Sequence, residues 1–280
     1  MSDPISSLLD RVAEVCPLPA STHKVMALAN SERSSIAEVA RVISTDPALA
    51  AAVMRVANSA LFGGGKLDRL DSAVIRIGLR ELRELAAAMS LLAAFRSQAE
   101  LQLQLHDRSV VSGSIANRLA KETNQAVTAT AFTCGLLCEI GAMACLAVDG
   151  KAYAVIWKDT YLSPGNRVER EKERYTVTSF EVGRRFLLRN TLPENVCNAV
   201  GAEFGMQAND LTALDKITVL ARHSAPIVLS AGGNGATEVV AEQLESLAQQ
   251  VGFPELGGNL LYDICVRAGV LAEAALRHVR

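Results

Sequence analysis

Residues 131–141 read Ala131-Phe132-Thr133-Cys134-Gly135-Leu136-Leu137-Cys138-Glu139-Ile140-Gly141, an apolar run with one acid near its end. The run has the length and composition of a buried helix, so Cys138-Glu139 sits in an apolar frame. The rest of the chain is made of the same material. Half of its 280 residues are hydrophobic but only 4% are aromatic, so the core must come from Ala, Leu, Val and Ile. Small aliphatics suit closely packed helices, and Ala and Leu are strong helix formers. Strand-favouring runs are scarce. The expected fold is all-α, with length enough for one large domain or two small ones.

The net charge of −2 and a pI near 6.1 exclude a global basic field of the kind that drives nucleic-acid binding. No apolar run is expected to reach the roughly 20 residues that span a bilayer. The N-terminus, MSDPISSLLDRV, carries an early acid and no positive region, unlike a secretory signal. Six cysteines without framework-like spacing indicate reduced thiols. The expectation is a cytoplasmic helical protein that makes no use of a membrane.

Moving outward, Ile5, Leu8, Leu9 and Val12 share a face of a first helix, and Pro17 and Pro19 end it. Residues 20–30 restart as a helix. Ser35 and Glu38 read as a capping box, and Asp46-Pro47 as an N-cap with proline in the first turn. Gly63-Gly64-Gly65 is a break, and Asp71-Ser72 is expected to cap the next helix, followed by one over 79–95. Further helices are expected at 100–122, 127–148 and 150–162. The stretch 163–176, SPGNRVEREKERYT, is the most polar and reads as an exposed loop or hinge. Helices resume at 177–190, 193–204, 211–230, 236–251 and 256–279, with AGGNGA (231–236) a flexible connection. This divides the chain into an N-terminal helical subdomain (1–95), a bundle (96–205) and C-terminal helices packing on it (206–280).

A set of ordered motifs carries a resemblance. They are Cys16-Pro17-Leu18-Pro19-Ala20-Ser21; Ile43-Ser44-Thr45-Asp46-Pro47-Ala48-Leu49; Arg55 to Gly63; Ala73 to Leu82; Gly135-Leu136-Leu137 with Ile140-Gly141; Glu181-Val182-Gly183; and Leu192-Pro193. Over residues 17–205 the chain resembles the HDOD family, the HD-related output domain proteins of bacterial signalling. The resemblance implies an N-terminal helical subdomain packed on a degenerate HD-like bundle without catalysis. HD-type phosphohydrolases read LLHDIG where this chain has Leu136-Leu137-Cys138-Glu139-Ile140-Gly141. By that likeness the first ligand histidine falls on Arg108, the His-Asp pair on Cys138-Glu139 and a later histidine on Ser179, with Glu203 near a further ligand position. None of these is an imidazole.

The remaining chemistry has a plain and a functional reading at each point. A hydrolytic metal needs convergent His and carboxylate ligands, whereas His23, His106, His223 and His278 are scattered. His106-Asp107 is literally an HD pair, but its polar surroundings suggest an exposed helical turn. Cys134, Cys138 and Cys145 share one stripe of a continuous helix, as core packing, a redox-sensitive face or a soft-metal face. Arg108 and Glu139 either pair, filling the former metal cavity, or one reaches solvent. Gly63-Gly64-Gly65-Lys66 lacks the P-loop spacing. Lys66, Arg69, Arg76, Arg80 and Arg83 form either a solvated face or a basic face for nucleic acid or nucleotide phosphate. Arg167, Arg170, Lys172 and Arg174, interleaved with Glu169, Glu171 and Glu173, read as solvated in the same way. Asn58-Ser59 beside Phe62 either caps a helix or lines a ligand or partner cleft between the subdomains.

The leading expectation is a signalling module that is not an enzyme, uses no metal or cofactor and acts through other signalling proteins. Cyclic-nucleotide or two-component pathways, a nucleotide second messenger and self-association all fit that expectation. The alternatives are a phosphohydrolase-type enzyme rebuilt around Glu139, Arg108 and Cys138, or a nucleic-acid-binding regulator using residues 66–83.

Overall fold

The computed structural model describes residues 3–29, 31, 34–97, 99–123, 125–160, 164–231 and 237–276. Helices fill them and no strand occurs among them. The first six are α1 (Pro4–Val15), α2 (Ala20–Ala29), α3 (Ile36–Ser44), α4 (Pro47–Asn58), α5 (Leu70–Ile77) and α6 (Leu79–Ala94). Local chemistry sets their ends. Ser35 accepts from the Glu38 N–H, and Asp46 accepts from Ala48 and Leu49 at the start of α4. Asp71 does not cap α5, because the helix begins one residue earlier, at Leu70, and Asp71 lies in its first turn.

The bundle follows as α7 (Glu100–Thr123), α8 (Thr128–Leu137), α9 (Ile140–Val148), α10 (Gly150–Thr160), α11 (Pro164–Tyr175), α12 (Ser179–Arg189) and α13 (Glu194–Gly201). The expected continuous helix over 127–148 breaks at Cys138-Glu139, where the Cys138 N–H bonds back to Gly135 and the turn tightens. The apolar stretch Thr128–Val148 is, against expectation, long and apolar enough to cross a membrane, yet 83% of its apolar window is buried inside the protein. The expected loop over 163–176 is instead α11 from Pro164 onward. Its polarity is real, but one stripe of it turns inward (residue 163 lies outside the described residues).

α14 (Ala213–Ala231), α15 (Thr237–Val251) and α16 (Gly258–Leu276) complete the chain, and α7 packs against α8, α14 and α16. Residues 232–236, most of AGGNGA, lie outside the described residues. One hydrophobic cluster runs from Ile5 to Ala272 through all three segments. Although early in sequence, α1 lies on α9 and α12 of the bundle, with Arg185 and Arg189 pairing to Asp3 and Asp10.

Two helix crossings depend on glycine. A Cβ on Gly135 would lie 2.6 Å from the Ser112 carbonyl oxygen of α7. A Cβ on Gly141 of α9 would overlap the Ser179 carbonyl oxygen and lie 2.6 Å from the Gly183 nitrogen. These contacts let α9 and α12 meet backbone to backbone, which brings Glu139, just before α9, close to Ser179 at the start of α12.

Candidate functional site

Glu139 is 1% exposed, and both of its oxygens face guanidiniums. Arg108 of α7 sets Nε 3.2 Å from Oε1, and Arg167 of α11 donates from Nη1 to Oε2 at 3.2 Å. The structure thus brings together Arg108 and Glu139, and adds a second arginine. Burial alone would raise the Glu139 pKa, but Arg167, Arg108 and Arg222 outweigh it and hold the carboxyl below its usual range.

Arg167 is bound in turn. Its Nε lies 3.9 Å from Glu171 one turn on, and Glu171 accepts from the Tyr153 hydroxyl at 2.6 Å and from the Ser179 N–H at 2.7 Å. Ser179 is therefore in the cluster through its backbone, while its buried Oγ has no hydrogen-bond partner among the described residues. Three guanidiniums (Arg108, Arg167, Arg222) and two carboxylates are all buried here, one net positive charge in excess.

Aromatic faces and helix-end carbonyls accommodate the excess. Arg108 and Arg167 lie 4.8 and 5.1 Å from the Trp157 ring centre, and Arg167 and Arg222 lie 4.9 and 4.4 Å from that of Phe180. Arg222 also donates to the carbonyls of Ala202 (2.8 Å) and Val200, at the negative end of α13. His223 follows Arg222 in α14 and is 3% exposed. Burial first, and then the three arginines, push its pKa well below normal, so it stays neutral.

This donor set does not fit a hydrolytic divalent cation. Such an ion needs open carboxylate and imidazole ligands. Both Glu139 oxygens are met by arginine, Glu171 is engaged by Tyr153, Ser179 and Arg167, and three fixed positive charges would repel the metal. No group of three His, Cys, Asp or Glu with metal-binding geometry occurs among the described residues.

The other expected positions fall elsewhere. Glu203 lies outside the buried cluster, accepting from Thr178 at 2.8 Å with Lys172 at 3.9 Å. Cys134, Cys138 and Cys145 are buried but do not form one stripe, since the helix breaks at Cys138. Burial raises the pKa of each. His106 is not on an exposed turn: its Nε2 is buried and its pKa is lowered by burial, although a hydrogen bond to the Phe95 backbone opposes that.

The residues of the expected basic face do not share one surface. Arg83 is buried and donates to Ser34, because that side of α6 packs inward. Arg76 turns to the Ala57 carbonyl at 3.1 Å, Arg69 pairs with Asp71, and Arg80 pairs with Glu81 and Glu84. Lys66 remains exposed. Ser59 caps α4 as one reading expects, donating its hydroxyl to the Val56 carbonyl, whereas Asn58 neither caps the helix nor opens to a cleft. It clamps the following loop, donating to the Leu67 carbonyl and accepting from the Leu67 N–H. Phe62 stands edge-on to Phe132 at 5.5 Å, and Ser59 lines a cleft among α4, α6, α7 and α8.

Sequence reasoning missed Arg167, Glu171 and Arg222. The first two were hidden by alternating charge that reads as solvated. The spacing Arg167, Glu171, Tyr175 was the available signal, because it puts one stripe on a helix. Nothing in the sequence near Arg222 singled it out.

The comparisons with known proteins agree with this architecture. The family model of the HDOD domain matches residues 15–203. A crystal structure of a candidate phosphohydrolase from Shewanella amazonensis SB2B is similar over 97% of this chain and 98% of its own, with TM-score 0.73 and 22% identity. A candidate signal transduction protein from Marinobacter aquaeolei VT8 is similar over 99% of this chain and 67% of its own, with TM-score 0.64 and 17% identity. An uncharacterized protein of Treponema pallidum (strain Nichols) is 31% identical over 139 residues, 49% of this chain. The match spans only 27% of that curated relative's length. With the family match covering more than half of its length, the chain belongs to the HDOD family.

Proposed function

We propose that this protein is a non-catalytic signalling module that acts by binding another protein. The observation that carries the reading is the closed ionic cluster at the HD-pair position, where Glu139 is held by Arg108 and Arg167 within 3.2 Å. A carboxylate so held cannot act as a base or a metal ligand without breaking two buried ion pairs, and such breakage costs about 3–5 kcal/mol. The signalling part of the reading comes from the family and from the name given to the Marinobacter protein.

The test is hydrolysis of phosphomonoesters, phosphodiesters and cyclic dinucleotides by the purified chain with Mn²⁺, Fe²⁺ or Mg²⁺. The reading expects rates equal to the protein-free blank. Metal-dependent hydrolysis that disappears in Glu139→Gln would overturn it. In cells, cross-linking is expected to return a small, reproducible set of protein partners, and a set no different from an unrelated control would count against the binding half.

A further inference from the structure

The cleft lined by Ser59 has a shape and charge that the ionic cluster does not explain. It lies among α4, α6, α7 and α8 and has a volume of about 220 Å³. Along α4 its wall is Ala48, Leu49, Ala52, Arg55, Val56 and Ser59, a span of about 16 Å at the helical rise per residue. That volume is below the ~300 Å³ of the smallest drug-sized pockets, and spread over such a length it leaves a small cross-section.

Its wall is mostly apolar, and two of its four hydroxyls are engaged by their own helices. Ser59 and Ser114 donate to the carbonyls of Val56 and Val110 in their own helices. Asp46 also lines the cleft, but its carboxylate caps α4 through the N–H groups of Ala48 and Leu49. The cationic groups of the lining are Arg55 and Arg96, neither in an ion pair among the described residues, and His106 lies close to Arg96. An apolar slot whose lining holds two guanidiniums against the single Asp46 carboxylate is positive by one charge and matches a ligand with a thin apolar body and a negative end.

We propose that this cleft binds a single-chain amphiphile with an anionic head, the chain lying along α4 and the head held by Arg55 and Arg96. This is independent of the function proposed above, because it concerns a different cavity and holds whether or not the chain hydrolyses anything.

The test is calorimetric titration of the full chain with dodecanoate and dodecyl phosphate, each below its micellar concentration, and with dodecanol below its solubility limit. Saturable one-site binding of an anionic probe is expected, with dodecanol about tenfold weaker or worse. Whichever anion binds more tightly names the head group. The double variant Arg55→Gln/Arg96→Gln should erase the preference over the alcohol, and Ala52→Phe, which fills the slot, should weaken all three. A dodecanoate with a photoreactive tail, applied to the unaltered chain, should label residues of α4, α6, α7 or α8 that line the cleft. This arm keeps its meaning even if Ala52→Phe does not fold. No saturable binding, equal binding of all three probes, or labelling elsewhere would overturn the proposal.

Discussion

Arg167, on a helix whose sequence alternates in charge, donates its Nη1 to Oε2 of Glu139 across 3.2 Å of buried interior. The two residues come from elements that the sequence places in opposite environments, a polar stretch and an apolar core. Their meeting joins Arg108, Glu171, Tyr153 and Ser179 into one network. Each member depends on the others, because a buried charge that loses its partner keeps its desolvation cost.

Substituting Glu139→Gln should therefore destabilise the fold by about 3–5 kcal/mol, as Arg108 and Arg167 are left facing each other. The double variant Arg108→Met/Glu139→Gln should cost less than the sum of the singles, by more than about 1 kcal/mol. Urea denaturation of the four proteins closes the cycle. Additive losses would mean that the pair is not coupled.

The crossing of α9 and α12 gives a second prediction. Gly141→Ala should destabilise by about 2–3 kcal/mol, although alanine is the better helix former, because its Cβ would overlap the Ser179 carbonyl. Gly150→Ala, where a Cβ meets nothing within 4 Å, should be neutral or mildly stabilising. Thermal melts of the two variants make the comparison.

Stability should fall on mild acidification, in part through His223. Its folded pKa lies below the unfolded value of about 6.5, so the native state binds fewer protons there. The contribution is fully present above that pH and declines as pH drops below it, by up to about 1.4 kcal/mol per pH unit. Urea midpoints between pH 7.5 and 5.5 should show the decline, and His223→Phe, which keeps a ring beside Phe204, should flatten it. An identical slope in that variant would place the sensitivity elsewhere.

Thiol chemistry separates core from surface. Five of the six cysteines are buried and Cys16 is half-buried, so a thiol reagent should modify one cysteine of the native protein within minutes. All six should react in denaturant. Rapid native modification of Cys134, Cys138 or Cys145 would revive a redox role for the central segment.

The helices were legible because their signals are local. The caps at Ser35 and Asp46, the proline after Asp46 and the break at Gly63 each act within one turn. Arg108 and Glu139 were legible as a pair because the family resemblance ties them to one site. Arg167 and Glu171 were not, since a helix facing a charged cavity and one facing water have the same composition. Only tertiary packing separates them. Arg83 is illegible for the same reason, and the role of Asn58 is hidden because its bonds to Leu67 span a loop whose path is not local.

The most direct test of the closed-cluster account is the metal content of the chain purified after exposure to Mn²⁺, Fe²⁺ or Zn²⁺, with Glu139→Gln treated alongside. The account predicts far less than one equivalent of metal in both proteins. Stoichiometric metal in the unaltered chain, lost in Glu139→Gln, would contradict it.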